Sequence, residues 1–125
     1  MEKPLTQHIK PGQTLSLKDY EKVGGYKAVQ KAIKEMSALN VQQVVKDSNL
    51  KGRGGAGFPT GLKWSFVPMG DGAPHPKYLV CNGDEMEPGT FKDRVLLEGN
   101  PHQLIEGMIL SAYAIQAEEG YVFLR

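Results

Sequence analysis

The sequence has little of what several classes of protein require. It contains one cysteine, Cys81, which excludes an internal disulfide and any cysteine-based zinc or iron–sulfur site built by this chain alone. Fifteen basic side chains stand against 14 acidic ones, so no broad positive footprint for nucleic acid is present. No apolar run approaches the roughly 18 residues of a membrane span, and residues 1–10 are not expected to be a signal peptide. We therefore expect a soluble protein of a reducing compartment.

Local patterns predict helices before residue 52. Residues 1–22 are polar and contain two prolines, which predicts an extended lead. A helix of about three turns is expected from apolar residues at helical spacing, namely Tyr26, Val29, Ile33 and Met36. A second helix is expected from about Val41, with Val44 and Val45 on its apolar side. It should end near Asn49, which tolerates the left-handed cap conformation.

The rest of the chain alternates helix and strand. Thr60 is expected to cap a short helix over residues 62–67, and residues 68–77 are rich in proline and glycine, which predicts a loop. Residues 78–81 and 121–124 are apolar runs typical of strands buried on both faces. Between them, Asn100-Pro101 predicts the start of a helix that reaches about residue 117.

This order predicts an α/β fold. A strand, a helix and a strand form a βαβ unit, whose strands are parallel and whose crossover is right-handed. Two strands are too few for a stable parallel sheet, so we expect the first part of a larger, Rossmann-like domain. The predicted organisation is an N-terminal lead with helices over residues 1–51, followed by an incomplete α/β unit over residues 52–125.

A glycine-rich loop is the most informative segment. Five of the ten residues 52–61 are glycine, each at a conformational cost of roughly 0.5–1 kcal/mol, which is more than a connecting turn requires. Bare backbone amides, the basic residues Lys51, Arg53 and Lys63, and the aromatic residues after the loop suit a ligand with phosphates and planar rings. A nucleotide or a flavin is therefore expected.

Two alternatives to this interpretation of the loop remain open. Gly52, Gly54 and Gly57 match the spacing of a dinucleotide-binding fingerprint, but that fingerprint needs a preceding strand and a long helix after it. Here a helix precedes the loop, and Pro59 interrupts the segment after it. The other alternative is a glycine-rich turn that only connects two helices.

An acidic turn comes directly after the first predicted strand. Asp84, Glu85 and Glu87 lie where ligands bind in open α/β sheets, beyond the carboxyl end of a strand. Like charges about 5 Å apart cost on the order of 3 kcal/mol, so carboxylates do not belong beside a phosphate. We expect them to face sugar hydroxyl, ring N–H or carboxamide groups, while Arg53 and Lys63 bind phosphates. A solvated acidic turn and a divalent-metal site are the alternatives.

Residues 52–65 (GRGGAGFPTGLKWS) and 81–94 (CNGDEMEPGTFKDR) resemble the flavin-bearing, NADH-oxidising subunit of respiratory complex I, which in bacteria is the F subunit of NADH–quinone oxidoreductase. Residues 101–107 (PHQLIEG) and 120–125 (GYVFLR) are similar too. The resemblance runs from about residue 20 to the end of the chain.

The resemblance implies FMN and NAD(H) as cofactors. Hydride transfer is carried by the flavin, so no catalytic side chain and no metal ligand is expected in this chain. In this family Lys63, Asn82 and Asp84 match positions that hold FMN, Glu85 and Glu87 match acidic positions over the ring and nicotinamide, and Phe58 and Phe66 match the pair that stacks the adenine. The loop positions that the resemblance assigns to cofactor contact are Gly52, Arg53, Gly54, Gly55, Ala56, Gly57, Phe58, Pro59, Thr60 and Gly61.

The resemblance also implies a larger assembly. The family continues into further domains, where four cysteines bind a [4Fe–4S] cluster that this chain cannot build. Electrons are expected to pass to iron–sulfur clusters and quinone through other peripheral-arm subunits, especially a thioredoxin-like 2Fe–2S subunit, on the cytoplasmic side of the bacterial inner membrane. The alternatives are the diaphorase subunit of a NAD-linked hydrogenase or formate dehydrogenase, a non-catalytic nucleotide-binding module, and a purely structural fragment. Weak or no flavin retention by the chain alone is expected.

Overall fold

The computed structural model describes residues 2–125. No helix within these residues is long and apolar enough to cross a membrane. The elements in chain order are α1 (Leu17–Lys22), α2 (Lys27–Glu35), α3 (Ala38–Asp47), α4 (Thr60–Ser65), β1 (Tyr78–Gly83), α5 (Lys92–Gly99), α6 (Pro101–Ile115) and β2 (Glu119–Leu124).

The two strands form a parallel sheet. Val80 of β1 lies opposite Tyr121 of β2, and the register runs from Tyr78 with Glu119 to Gly83 with Leu124. Helices α5 and α6 connect the strands, so the predicted βαβ unit and the α/β fold class are confirmed. The handedness of the crossover and the division at residues 51 and 52 stay predictions.

Three local predictions were wrong at the helix starts. The lead is not extended over residues 17–22, because the Ser16 hydroxyl accepts a hydrogen bond from the Asp19 N–H at 3.2 Å and begins α1. Ser37 caps α3 in the same way, so that helix starts at Ala38. Thr60 does not cap α4 but is its first residue, and Pro59 occupies the cap position. Serine at an N-cap and proline near a first turn are both favourable.

The predicted start of α6 is confirmed. The Asn100 side chain accepts a hydrogen bond from the Gln103 N–H at 3.3 Å, and Pro101 is the first helical residue. The helix ends at Ile115 because Gln116 takes a left-handed conformation with φ of 58°. Asn49 is also left-handed, with φ of 55°, two residues after α3 ends.

Packing of α2, α3 and α4 against α6 makes the core. Ala32 of α2, Val41 of α3 and Ala114 of α6 form its buried centre, and Trp64 of α4 packs against them. Ile33 remains 55% exposed, so the buried side of α2 is formed by Val29 and Ala32 instead. A small residue at position 32 lets α2 approach its neighbours closely.

The strands are not buried on both faces, contrary to the sequence prediction. In β1 exposed and half-buried residues alternate, and Val80 is 62% exposed. One face lies against α6, since a Cβ placed on Gly120 would lie 3.5 Å from the Met108 side chain. The outer face, which includes Val80 and Tyr121, is left open by residues 2–125.

A buried carboxylate fastens the first two helices to α6. Glu106 accepts hydrogen bonds from the Tyr20 hydroxyl, from the Tyr26 N–H at 3.0 Å and from the Val29 N–H at 3.3 Å. Tyr26 occupies the N-cap position of α2 in a left-handed conformation, with φ of 61° and no side-chain cap. The carboxylate therefore supplies the hydrogen bonds that the start of α2 lacks.

We expect Glu106→Ala to destabilise the chain by about 3 kcal/mol, because it leaves several buried donors without an acceptor. Glu106→Gln should cost less, since its amide oxygen still accepts one of these bonds. The measurement is urea-induced unfolding followed by circular dichroism. Ile105→Ala, at an exposed position of the same helix, is the control. Equal losses for Glu106→Ala and Ile105→Ala would contradict the assigned role.

We expect the free energy of unfolding to decrease above about pH 10 through Tyr20. Burial, and then the hydrogen bond to Glu106, raise the pKa of this phenol in the folded chain. Its stabilising contribution is therefore complete below the unfolded pKa and is lost as the pH rises further. Tyr20→Phe should reduce this alkaline loss, whereas Tyr78→Phe, at an exposed tyrosine, should not. If the free energy of unfolding falls equally with alkaline pH in Tyr20→Phe and in the unchanged chain, Tyr20 is not the group responsible.

Candidate functional site

The glycine-rich loop is closed at its base by backbone hydrogen bonds. The Gly52 N–H donates to the Phe58 carbonyl at 2.9 Å, and the Thr60 N–H donates to the Leu50 carbonyl at 2.8 Å. An antiparallel bridge between Lys51 and Pro59 completes the closure. The chain therefore leaves and returns at the same place, and residues 53–57 form the tip of the loop.

Glycine at three positions of the loop leaves open space on its surface. A Cβ built on Gly54, Gly55 or Gly57 would meet no atom within 4 Å. Gly55 and Gly57 also have positive φ, of 133° and 62°, which glycine adopts without strain. Gly54 has neither constraint, so its missing side chain has no explanation in the packing of the chain.

Helix α4 holds the loop against the core. Its Trp64 side chain packs on the buried helix cluster, so this aromatic residue has a structural role. A Cβ on Gly61 would lie 2.5 Å from the Lys46 backbone nitrogen, so α4 approaches α3 closely. Close packing accounts for the glycine at position 61, and its predicted contact with a cofactor stays a prediction.

A cavity of about 880 Å³ lies beside the loop. This volume is within the range of small-molecule sites. The predicted site residues that line it are Gly52, Gly54, Ala56, Gly57, Phe58, Thr60, Lys63 and Phe66. The cavity therefore brings together backbone without side chains, one lysine and two phenylalanines, which is the combination that the sequence pattern predicts for a ligand with phosphates and rings.

One wall of this cavity is formed by residues that the sequence pattern did not indicate. Leu79 and Val80 of β1, together with Ile115 at the end of α6, line the cavity as well. Successive side chains of a strand alternate between faces, so Asn82 lies on the same face as Val80. The alternation of side chains along β1 could have linked the glycine loop with the acidic turn. It places Val80, which lines the cavity, on the same face as Asn82, which begins the turn.

The two phenylalanines touch each other in the structure. The ring centroids of Phe58 and Phe66 are 6.2 Å apart and the rings are tilted by 56°. A flat ring sandwiched between them needs roughly 7 Å and near-parallel planes, twice the ordinary carbon–carbon contact of about 3.5 Å. Stacking of an adenine between the two therefore requires their side chains to rotate apart. Phe66 is 66% exposed, so its ring has room to move.

The remaining predicted residues lie outside the walls of the cavity. These are Arg53, Gly55, Pro59, Gly61, Asn82, Asp84, Glu85 and Glu87. The Asn82 side chain accepts a hydrogen bond from the Asp84 N–H at 3.0 Å, which turns the chain directly after β1. The acidic turn thus lies at the carboxyl end of a parallel strand, at the edge where ligands of open α/β sheets bind.

A lysine compensates the charge of the acidic turn. Lys92 Nζ lies 3.0 Å from Asp93 Oδ1 and 4.0 Å from Glu85 Oε1. The hydrogen bond to Asp93, with the negative charges of Asp93, Glu85 and Glu87, raises the pKa of Lys92. The like-charge repulsion expected from the sequence is therefore reduced before any ligand arrives.

Glu85 differs from the other acids of the turn. Its carboxylate accepts hydrogen bonds from the Asp93 N–H, at 2.8 and 3.2 Å to the two oxygens, and from the Arg94 N–H at 3.2 Å. Its side chain is only 8% exposed, whereas Glu87 is exposed. No group of three His, Cys, Asp or Glu residues within 2–125 is placed to hold a metal ion, so the alternative of a divalent-metal site has no geometric support.

The site is suited to binding. Lys63 is the cation of the cavity, and its other lining residues are glycines, Thr60 and apolar residues. Burial, and then the charge of Asp93, raise the pKa of the Cys81 thiol, which favours the protonated, unreactive form. The arrangement can hold a planar, anionic ligand between the loop and the outer face of β1.

Comparison with known proteins identifies relatives of this chain. A family model described as the Nuo51 FMN-binding domain matches residues 45–125. The F 2 subunit of the NADH-quinone oxidoreductase of Rhizobium meliloti (strain 1021) is 61% identical over 109 residues, which are 87% of this chain and 25% of that protein. The F subunit of the Escherichia coli (strain K12) enzyme is 50% identical over 123 residues, 98% of this chain and 27% of that protein. The chain thus spans about a quarter of the length of these curated relatives.

A solved structure agrees with the sequence relatives. The crystal structure of an NAD+-reducing [NiFe]-hydrogenase in the air-oxidized state matches with a TM-score of 0.71 and 42% identity. The match covers 90% of this chain and 20% of the hydrogenase chain. The fold is therefore shared between two kinds of redox enzyme.

We expect Gly61→Ala and Gly54→Ala to have different effects on stability, because close packing explains the glycine only at position 61. Gly61→Ala should cost about 2 kcal/mol of stability, because its Cβ would overlap the Lys46 backbone. Gly54→Ala should leave the stability unchanged or slightly higher, since its Cβ meets open space. Thermal unfolding of both variants is the measurement. A Gly61→Ala variant as stable as the unchanged chain would show that α4 does not approach α3 this closely.

Proposed function

We propose that this chain, which belongs to the Nuo51 FMN-binding domain family, binds FMN and NAD(H) in the glycine-loop cavity as part of the electron-input subunit of an NADH–quinone oxidoreductase. The observation that carries the proposal is the exposed backbone surface of Gly54 and Gly57. This surface has no side chains, borders a cavity of about 880 Å³ and has no packing reason to be bare.

The residues present fit a flavin and a dinucleotide. A Cβ at Gly54 or Gly57 would occupy space that the loop leaves open, and flat rings need such side-chain-free backbone to approach closely. Lys63 provides a positive charge for a phosphate within the same cavity. Leu79 and Val80 add apolar side chains to the wall of the cavity.

Each remaining residue has a proposed role in orientation. Phe58 and Phe66 rotate apart to stack the adenine of the nucleotide. Arg53 lies outside the cavity walls, in the exposed loop, where it can reach phosphates at the entrance. Asp84 and Glu87 present their carboxylates to sugar hydroxyl and carboxamide groups beyond the end of β1. When bound, the flavin supplies the chemistry by accepting a hydride from NADH and releasing electrons singly.

The activity of the whole enzyme is a wider part of the proposal, because this chain spans about a quarter of its relatives. We propose that electrons leave toward iron–sulfur clusters and quinone, that a thioredoxin-like 2Fe–2S subunit is the neighbouring partner, and that the assembly lies at the cytoplasmic side of the bacterial inner membrane. We place the [4Fe–4S] cluster of the family outside residues 1–125, which contain one cysteine.

A second candidate is the diaphorase subunit of a NAD-linked hydrogenase. The structural match to the NAD+-reducing [NiFe]-hydrogenase favours it, at 42% identity. The quinone oxidoreductase relatives are 50% and 61% identical, which favours the first candidate. Purification of the chain from its own cells separates the two, because each candidate co-purifies with a different multisubunit enzyme.

The proposed site is tested by paired valine substitutions. FMN is added to the chain, and binding is measured by quenching of flavin fluorescence. Gly54→Val should abolish quenching, because two methyl groups would occupy the space of the ring. Gly72→Val is the matched control, since its Cβ also meets no atom within 4 Å and it lies in the loop over residues 68–77. Both variants should be as stable as the unchanged chain.

Three outcomes would contradict the proposal. No FMN binding by the unchanged chain, at concentrations well above those of the protein, would refute flavin binding by this segment. Full binding by Gly54→Val would place the site elsewhere. A bound flavin that keeps its visible absorbance when NADH is added would favour a non-catalytic binding module.

We expect Lys63→Ala to weaken FMN binding by about tenfold, the effect of losing one charge-assisted phosphate contact. Lys34→Ala is the control, because that lysine lies in the last turn of α2, away from the cavity. Both dissociation constants are measured by the same fluorescence titration. Equal effects of the two substitutions would mean that Lys63 acts only through the net charge.

A further inference from the structure

We propose that Glu85 is a positioning residue, whose carboxylate fastens the acidic turn to the start of α5 so that Asp84 and Glu87, and not Glu85, face the bound cofactor. The inference rests on the proposed function. It also changes the role that the family resemblance assigns to Glu85, from a group over the ring to an anchor behind it.

The start of α5 needs an acceptor that its own sequence does not supply. Phe91 occupies the N-cap position and makes no side-chain cap hydrogen bond. The first N–H groups of a helix have no partner within the helix, so those of Asp93 and Arg94 would be left open. Both donate to Glu85, which is eight and nine residues earlier in the chain.

Contacts with the start of α5 occupy the Glu85 carboxylate. Both oxygens of Glu85 are engaged by the Asp93 N–H, one of them also by the Arg94 N–H, and Lys92 Nζ lies 4.0 Å from Oε1. The side chain is 8% exposed. A carboxylate with this many partners would have to break them before it could contact a nicotinamide or a flavin.

The turn that Glu85 holds is fixed at its other end as well. The Asn82 side chain accepts from the Asp84 N–H at 3.0 Å, and the Thr90 N–H donates to the Glu87 carbonyl at 3.1 Å. Within residues 2–125 no hydrogen bond from the protein reaches the carboxylates of Asp84 or Glu87. These two acids therefore stand free on a backbone that Glu85 and Asn82 hold in place.

Glu85→Gln keeps the shape of the side chain and removes its charge. In this variant the amide proton resonances of Asp93 and Arg94 should move upfield in a ¹⁵N–¹H spectrum, because a neutral acceptor forms weaker hydrogen bonds. Glu87→Gln is the matched control for this measurement, since it removes the same charge from an exposed position of the same turn. It should leave both resonances in place.

The positioning role is measured by FMN binding to the same variant. Glu85→Gln should raise the dissociation constant about tenfold, the effect of a lost helix cap on the turn. The visible absorption spectrum of the flavin that does bind should equal that of the unchanged chain, because the carboxylate does not touch the ring. Leu96→Ala destabilises α5 without touching the turn, and it should leave the dissociation constant unchanged at a temperature where the variant is folded.

Each failure has a separate signature. Unchanged Asp93 and Arg94 resonances in Glu85→Gln overturn the anchor. Shifted resonances with unchanged FMN affinity overturn the positioning role. An altered flavin spectrum in Glu85→Gln would mean that Glu85 contacts the ring. An equal loss of FMN affinity in Leu96→Ala would mean that Glu85→Gln weakens binding only by destabilising α5. If the unchanged chain binds no FMN, both the proposed function and the positioning role of Glu85 are refuted. The Asp93 and Arg94 resonances then still test whether Glu85 caps the start of α5.

Discussion

The closure of the glycine loop at residues 52 and 58 determines what the rest of the site can be. Two backbone hydrogen bonds at its base bring the ends of the loop together, so that bare main chain projects from the protein instead of crossing it. Helix α4 continues from this base and is held by Trp64 in the core and by Gly61 against α3. The loop is thus a small projection on a rigid support, which is the arrangement that precise positioning of a ligand requires.

The same electrostatic solution occurs twice in this chain. Helices α2 and α5 each begin at an aromatic residue that offers no side-chain cap, Tyr26 and Phe91. In each case a glutamate outside the helix, with a largely buried side chain, accepts the free N–H groups: Glu106 of α6 for α2, and Glu85 of the acidic turn for α5. Negative charge at a helix start is favourable, and burial strengthens the effect. These carboxylates join elements that local propensity alone would leave separate.

Features with a local cause could be predicted from the sequence. Asn100-Pro101 forms the start of α6 because the cap and the first turn involve neighbouring residues. The parallel βαβ unit results from the order of the elements, and the glycine-rich cavity wall results from composition. Helix α5 could not be found in this way, because its cap is Glu85 rather than a residue at its own start. The close approach of α4 to α3 that explains Gly61 is likewise a property of both helices together, and the sequence of neither helix alone indicates it.

The open outer face of the sheet has a practical consequence for this chain. Val80, Tyr121 and Phe123 are each more than half exposed on neighbouring parallel strands. An apolar ribbon with unpaired strand edges promotes association with strands of other molecules, because it exposes both apolar surface and free backbone hydrogen-bonding groups. Handling at high concentration is therefore governed by this ribbon, and a charged substitution at Phe123, which unlike Val80 does not line the glycine-loop cavity, would improve colloidal behaviour.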